Sequence, residues 1–288
     1  GEMQNTGIDL NLIYKIVNGK SFKWDMETWL SAVENEITHI KGEKLVTQIP
    51  GGEIVNMEGE AANSFYGYTY EGVYSTTEDA QNTGLLNEKL VAYGGGDAVY
   101  ADISGPNGVK DGVINDFDKT VIGSSLPEFF GGVSNTFQYK RWELNAFVQF
   151  VYGNEVFNYV RYQNERMVGL QNQSTKVLNR WQYEGQITDV PRAVYGDPIG
   201  NSAFSTRWIE DGSYMRLKNV SLSYTIPNEF LTFQNARFYI TASNLFTLSE
   251  YLGYDPEFAH SFSHVNQGID YALTPQVRQF MVGVKLGL

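Results

Sequence analysis

The chain has 288 residues, with 21 Lys and Arg against 33 Asp and Glu, so its formal net charge is −12. Nucleic acid and anionic lipid head groups attract basic surfaces, and this acidic balance argues against both as partners. Cysteine is absent, which excludes a disulfide framework, a thiolate nucleophile and a Cys-ligated metal. No apolar run is long enough for a membrane helix. This does not exclude a membrane β-barrel, because the strands of such a barrel are only half apolar.

Period-two alternation of apolar and polar residues is the strongest pattern along the chain. It begins at 7–17, pauses at 18–20 and resumes at 22–32, which predicts a hairpin of two long strands. The same alternation returns in five further segments, namely 129–139, 142–152, 214–226, 236–248 and 276–288. Two weaker strand patterns lie near 64–74 and 88–101, and 174–184 suggests a short helix inside a loop.

The lengths of the strands and of their connections predict the fold class. The strands run about 10–15 residues, and a tilted strand needs about 9–11 residues to cross a bilayer. Short connections at 18–20, 140–141 and 227–234 alternate with long loops at about 40–125, 153–212 and 249–275. Short turns on one side and long loops on the other are typical of an outer-membrane barrel. We therefore expect an all-β, transmembrane antiparallel β-barrel, with a soluble β-sandwich as the alternative.

The number of strands predicts that this barrel is larger than the chain. Seven strands are well defined, and single-chain bacterial barrels have an even number. A first or last strand without a hydrogen-bonded neighbour is not tolerated in lipid. We therefore expect additional strands to flank both the segment at 7–17 and the segment at 276–288.

Short sequence blocks along the whole chain resemble one family. These blocks are Ser64 to Tyr68, Glu71 to Tyr74, Gly96-Asp97, Tyr100 to Asp102, Asp111 to Ile114, Val121 to Gly123, Asp211 to Val220, Leu222 to Pro227, Asn244 to Thr247, Gly253 to Glu257 and Pro275 to Arg278. With them, the chain resembles the C-terminal part of SusC/RagA-type TonB-dependent outer-membrane transporters of Bacteroidetes over essentially all its residues.

The resemblance implies a function and a set of partners. Residues 1–288 would supply about the last seven to nine strands of a barrel of about 22 strands that encloses a plug. Such transporters sit in the outer membrane of Gram-negative bacteria and import oligosaccharides or peptides. The implied partners are the N-terminal barrel and plug, a SusD-like lipoprotein lid, outer-membrane lipid, and TonB acting through the portion that these residues lack. Plug and TonB box are absent from 1–288.

One loop has the ligand pattern of a calcium site. An EF-hand-like loop places oxygen ligands at positions 1, 3, 5, 7 and 12, with Gly at position 6. Here the five ligands would be Asp102, Ser104, Asp111, the carbonyl of Val113, and Asp118, with residues 106–110 inserted after the second ligand. The pattern predicts a structural Ca²⁺ that stiffens an external loop. The alternative is an acidic, Gly-rich surface loop that binds nothing.

The long loops also hold candidate substrate contacts. Aromatic rings stack on sugars, and Arg can fix hydroxyls or carboxylates, which makes Trp181, Arg192, Trp208 and Tyr251 candidates. The alternative is that they pack inside the loops or against a lid protein. No nucleophile–base pair or phosphate-binding loop is visible, so the sequence does not predict an enzyme. A secreted or surface all-β glycan-binding or adhesion module is the alternative function, and a glycoside hydrolase is a distant third.

Overall fold

The computed structural model describes residues 1–226, 235–258 and 264–287, and the connection predicted at 227–234 and the terminal Leu288 lie outside them. No helix in these ranges is long and apolar enough to cross a membrane. Within these ranges the α-helices are α1 (Thr77–Thr83) and α2 (Tyr159–Glu165), and single 3-10 turns occupy Asp116–Asp118, Thr175–Asn179, Thr206–Trp208 and His264–Asn266. The strands are β1 (Glu2–Asn18), β2 (Phe22–His39), β3 (Lys44–Ile49), β4 (Gly52–Met57), β5 (Ser64–Gly67), β6 (Tyr70–Val73), β7 (Leu86–Asn87), β8 (Ala98–Tyr100), β9 (Val113–Ile114), β10 (Thr120–Gly123), β11 (Phe129–Tyr139), β12 (Trp142–Tyr152), β13 (Glu155–Phe157), β14 (Ile209–Asp211), β15 (Tyr214–Ile226), β16 (Asn235–Ser249) and β17 (Gln279–Gly287).

One antiparallel sheet of seven strands dominates the described residues, in the order β1-β2-β11-β12-β15-β16-β17. These are the seven strands that the alternation predicts, so the prediction of a long-stranded antiparallel sheet is confirmed. The weaker patterns at 64–74 and 88–101 form the short strands β5, β6 and β8 in separate small sheets. The segment 174–184 contains only the 3-10 turn Thr175–Asn179.

The register gives this sheet one apolar and one polar face. Leu144, Leu222, Ile240 and Val282 pair in one row across β12, β15, β16 and β17. The next row joins Glu143, Ser223, Tyr239 and Gly283. The side chains of the apolar row are exposed, from 36% at Leu144 to 75% at Val282. A sandwich would bury this face under a second sheet, so among the described residues the structure favours the barrel over the sandwich.

Aromatic side chains border the apolar face at both ends. The rings of Trp142 and Tyr224 lie 4.8 Å apart near the short turns, and the stacked rings of Phe129 and Tyr152 lie 4.8 Å apart near the long loops. Ten residue steps from Trp142 to Tyr152, at about 3.4 Å each and a tilt of about 40°, span about 26 Å. This matches the apolar band of about 25 Å between the aromatic girdles of outer-membrane barrels.

The long loops pack together at one end of the sheet. Side chains from all three loops form a common core that is closed to solvent, whose most buried members are Ile54, Phe65, Phe157, Trp208 and Ile269. A second cluster surrounds Tyr74, Tyr93, Ala98 and Tyr100. The loops therefore form a packed unit that can hold side chains in fixed positions.

Candidate functional site

The predicted calcium loop is organised by its own carboxylates. Asp118 is fully buried, and its Oδ1 accepts hydrogen bonds from the backbone N–H of Ile103 (2.8 Å) and Ser104 (3.2 Å). Its Oδ2 accepts from the N–H of Asn115 at 2.9 Å. These three bonds fold the loop back on itself, so Asp118 has a structural task with or without a metal.

The other predicted carboxylate ligands also bind loop amides. Asp102 Oδ2 accepts from the N–H of Gly112 at 3.0 Å, and Asp111 Oδ1 accepts from the N–H of Val113 at 2.9 Å. In the ranges that the structure describes, no group of three or more His, Cys, Asp or Glu side chains is placed to hold a metal ion. Calcium binding by this loop, with Ser104 as a further ligand, stays a prediction.

Two of the four predicted substrate contacts are buried side chains of the loops. Trp208 is fully buried, and its indole N–H donates to the carbonyl of Ala203 at 3.1 Å. Tyr251 is 8% exposed, and its hydroxyl donates to Asp270 Oδ2 at 2.6 Å. Burial raises the pKa of the Tyr251 hydroxyl, and the hydrogen bond to the Asp270 carboxylate raises it further. Both rings therefore support the shape of the loops.

The other two predicted contacts lie together at a different place. Arg192 forms a bidentate ion pair with the buried Asp97, through Nε at 2.7 Å and Nη2 at 2.9 Å. The Trp181 ring packs on Gly96, which has a φ of 82°, and its indole N–H donates to the carbonyl of Ser75 at 2.9 Å. Substrate contact by Trp181, Arg192, Trp208 and Tyr251 stays a prediction, and these four residues do not share one surface.

A cluster of one arginine and two carboxylates lies beside Trp208. The sequence did not reveal this cluster. Arg161 Nη1 lies 2.6 Å from Glu210 Oε1, its Nε lies 3.3 Å from Glu165 Oε2, and its guanidinium stacks 5.4 Å from the Trp208 ring. Asn158 caps α2 by accepting the N–H of Arg161, which fixes the direction of this side chain. Residues four positions apart on a helix are neighbours, so the sequence can indicate the pair of Arg161 and Glu165. Nothing in the sequence connects either residue to Glu210.

A cavity of about 530 Å³ opens next to this cluster. Three stretches of chain line it, namely 158–165 around α2, 174–189, and the loop after β16. Its polar and charged lining consists of Asn158, Arg161, Asn164, Glu165, Ser174, Lys176, Asp189 and Asp270, and its apolar lining includes Leu252 and Tyr254. On its rim, Lys176 Nζ lies 3.8 Å from Asp189 Oδ2, and both side chains are at least half exposed. Among the described residues, this cavity combines both signs of charge with two exposed apolar side chains.

A buried ion-pair cluster fastens one wall of the cavity to the sheet. Residues 252–254 continue into Asp255 and Glu257, which form ion pairs with Arg216 of β15. Arg216 is 2% exposed, and the Lys218 ammonium also pairs with Glu257. Arg216 lies opposite Gln149, on the polar face that Glu143 shares. The cavity therefore lies at the loop end of the polar face.

The comparisons identify proteins with this architecture. No protein-family model matches the chain. The TonB-dependent receptor P3 of Formosa agariphila is 31% identical over 99% of the chain, and the TonB-dependent receptor SusC of Bacteroides thetaiotaomicron is 25% identical over 99% of it. The solved RagAB peptide transporter superposes on 99% of the chain with a TM-score of 0.78 and 26% identity. The chain spans only 29% of the length of the Formosa receptor, 26% of SusC and 29% of the matched RagAB chain.

The seven-stranded sheet thus matches a segment of the β-barrel of TonB-dependent receptors. More narrowly, the chain is homologous over nearly its whole length to receptors of the SusC type. The resemblance that the sequence blocks indicate is confirmed, as is the all-β barrel class.

Proposed function

We propose that the chain forms part of a SusC-like transporter that imports nutrients across the outer membrane of a Gram-negative bacterium. The observation that carries this proposal is the two-faced sheet. Its exposed apolar rows between two aromatic borders suit contact with lipid, while its polar face suits a water-filled or plugged interior. Homology to TonB-dependent receptors agrees with this role.

The partners follow from the same proposal. The open edges at β1 and β17 would pair with further strands of the same receptor, and a plug and TonB would act through that portion. A SusD-like lipoprotein would cover the packed loops. The cargo would be an oligosaccharide or a peptide, and the RagAB relative is a peptide importer. The relatives reported above carry the names of receptors and transporters, so we propose a transporter segment without catalysis.

A fractionation and uptake experiment tests this function. The full-length receptor that contains the chain should be found in the outer-membrane fraction and should leave it only with detergent. Labelled peptides or oligosaccharides should enter cells that carry the receptor, and a protonophore should stop that entry because TonB depends on the proton gradient. Release of the receptor into the medium as a soluble protein would favour the glycan-binding or adhesion module instead.

A further inference from the structure

We propose that a groove on the apolar face, at the loop end of the sheet, binds one outer-leaflet lipid that carries an ammonium head group. This outer groove lies between Tyr152 of β12 and the ends of β15 and β16, at Met215, Leu248 and Glu250. Its volume of about 600 Å³ is within the range of about 300–1,000 Å³ that is usual for small-molecule sites. The inference rests on the membrane placement in the proposed function and goes beyond it by assigning one lipid to a defined position.

The strand register places the outer groove on the face that is proposed to contact lipid. Phe150 follows Leu144 by six residues, so both side chains lie on the apolar face of β12. Phe150 pairs with Met215, and Met215 pairs with Leu248. The side chains of Met215 and Leu248 are each about half exposed. An acyl chain can therefore enter the groove without leaving the bilayer.

A wall of two rings beside a small side chain gives the outer groove its depth. The stacked rings of Phe129 and Tyr152 form the wall. Val151 pairs with Tyr214, so the next position brings Tyr152 opposite Ser213. Because Ser213 has a much smaller side chain than Tyr152, the surface is recessed beside the wall. A recess contacts an acyl chain on several sides, which gives more dispersion attraction than a flat apolar surface does.

The charges that line the outer groove are all negative. Its lining includes the carboxylates of Asp211 and Glu250 and contains no Lys or Arg. Both residues are exposed, and in the part of the chain that the structure describes neither forms an ion pair. Asp211 Oδ1 accepts the N–H of Ser213 at 2.8 Å. These carboxylates repel an anionic head group and attract an ammonium.

The apolar and charged parts of the outer groove lie at the levels of the two parts of a lipid. The rings of Phe129 and Tyr152 mark the loop-end border of the apolar face, and such aromatic borders lie at the membrane–water interface. Met215 and Leu248 lie on the membrane side of this border, and Glu250, two residues beyond Leu248, lies at its level. The long loops of outer-membrane barrels are external, so the lipid would belong to the outer leaflet.

Photocrosslinking of the full-length receptor in lipid vesicles tests the proposal. The probes are phosphatidylethanolamine and phosphatidylglycerol with the same diazirine-bearing acyl chain. Leu10 is the matched reference, because it belongs to the same row of the apolar face as Met215 and Leu248 but lies outside the groove. Phosphatidylethanolamine should crosslink at Met215 and Leu248 several-fold more than at Leu10. In the groove it should also exceed phosphatidylglycerol about two- to fivefold, the effect of one exposed ion pair.

Variants separate the apolar part of the groove from its charges. Met215→Trp fills the recess and should lower crosslinking of both lipids at Leu248 to the level seen at Leu10, whereas Leu10→Trp should leave it unchanged. Asp211→Asn with Glu250→Gln should make the two lipids equal in yield. Heat-dependent gel mobility checks that each barrel is folded, and Leu248→Trp, with crosslinks measured at Met215, replaces Met215→Trp if that variant does not fold.

The same measurements separate failure of this proposal from failure of the proposed function. Equal yields in the groove and at Leu10 would overturn the lipid site and keep the membrane placement, since lipid would still contact the apolar face. Equal yields of the two lipids in the wild type, or groove crosslinks that persist in the folded tryptophan variant, would also overturn the site. A receptor that shows no crosslink anywhere on the apolar face would instead remove the membrane placement and the import function with it.

Discussion

The polar residue Asn135 lies on the apolar face of the sheet, and a side chain of the neighbouring strand hydrogen-bonds to it. Asn135 of β11 shares a face with Val133 and Phe137, and its Oδ1 accepts a hydrogen bond from the Trp24 indole N–H at 3.0 Å. The Trp24 and Phe137 rings are 5.4 Å apart. Because lipid offers no hydrogen-bond partners, this contact lowers the cost of placing the amide oxygen on the apolar face.

We expect Trp24→Phe to destabilise the barrel through Asn135. The substitution keeps an aromatic ring but removes the donor, and interactions of this kind in membranes are worth about 0.6–1.7 kcal/mol. Urea unfolding of the receptor in lipid, followed by its heat-dependent mobility on gels, measures the change. Asn135→Leu should remove most of the effect of Trp24→Phe. An equal cost of Trp24→Phe with and without Asn135→Leu would show that the hydrogen bond has no role.

A half-buried carboxylate in the loop core should make one corner of the loops sensitive to pH. Glu155 Oε2 accepts the N–H of Ser124 at 2.7 Å. Burial raises the pKa of the Glu155 carboxyl above the ordinary 4.5. The hydrogen bond from the Ser124 N–H lowers this pKa, and the nearby Asp211 charge raises it. The folded state thus binds the proton more tightly than the unfolded state. Stability from this group is fully present below the ordinary pKa and is lost as pH rises through the raised value.

Glu155→Gln should abolish that dependence, because the amide oxygen still accepts from Ser124 without a buried charge. Hydrogen exchange at the Ser124 amide, corrected for the intrinsic rate, should slow on acidification toward pH 5 in the wild type. The variant should show stronger protection at pH 7 and little further change with pH. A Glu155→Gln variant that keeps the full pH response would assign it to another group.

The elements of the main sheet could be predicted from sequence because each repeats one physical pattern. A half-exposed strand must alternate, and β15 alternates on both sides of one register shift between Leu217 and Asn219. The two helices were missed because each is only seven residues long, too short to show a clear helical period. α1 begins where Thr76 accepts the N–H of Asp79 and ends at Gly84 with a φ of 69°. These caps were readable signals, but the burial that stabilises α1 comes from distant residues.

The ion pairs of Arg216 should hold the loop after β16 in place. Asp255→Ala leaves a buried guanidinium with one partner fewer, and breaking such a pair costs about 3–5 kcal/mol. We expect limited proteolysis to cleave residues 249–275 faster, while the heat-dependent gel mobility of the barrel persists. Glu250→Ala, at an exposed position in the same loop, should not change the cleavage rate. Equal cleavage in both variants would contradict the role of the cluster.

The calcium prediction can be separated from the structural role of the loop. Adding Ca²⁺ should slow hydrogen exchange in residues 102–118, and Asp111→Asn should weaken this response because it removes one ligand charge. Asp116→Asn is the control, since Asp116 pairs with Lys119 and is not a predicted ligand. Exchange that does not respond to Ca²⁺ in the wild type would support the alternative, a loop closed by its own amides.

At the scale of the whole molecule, the class of protein was accessible from sequence and the cavity was not. The barrel class depends on strand periodicity and loop lengths, which are properties of continuous segments. The cavity joins residues as far apart as Asn158 and Asp270, and its Arg161 cluster depends on Glu210. No periodicity links these positions, because packing of the loops on each other brings them together. Trp208 illustrates the same limit, since composition suggested a ligand contact and packing buried the ring.

The orientation of the whole sheet gives the last prediction. Leu222 lies in the exposed apolar row of β15, while its neighbour Ser221 lies on the polar face and accepts a hydrogen bond from the Thr241 hydroxyl at 3.1 Å. Successive side chains of a strand point to opposite faces, so one step along the chain should exchange lipid for the barrel interior.

The chain contains no cysteine, so nitroxide labels can be attached at Leu222→Cys or Ser221→Cys without competing sites within it. In the full-length receptor reconstituted in lipid, relaxation by oxygen, which concentrates in the bilayer, should dominate at Leu222→Cys. The label at Ser221→Cys should show little oxygen effect. The pair Ile240→Cys and Thr241→Cys on β16 should repeat the contrast, and equal oxygen accessibility at neighbouring positions would refute the assignment of the apolar face to lipid.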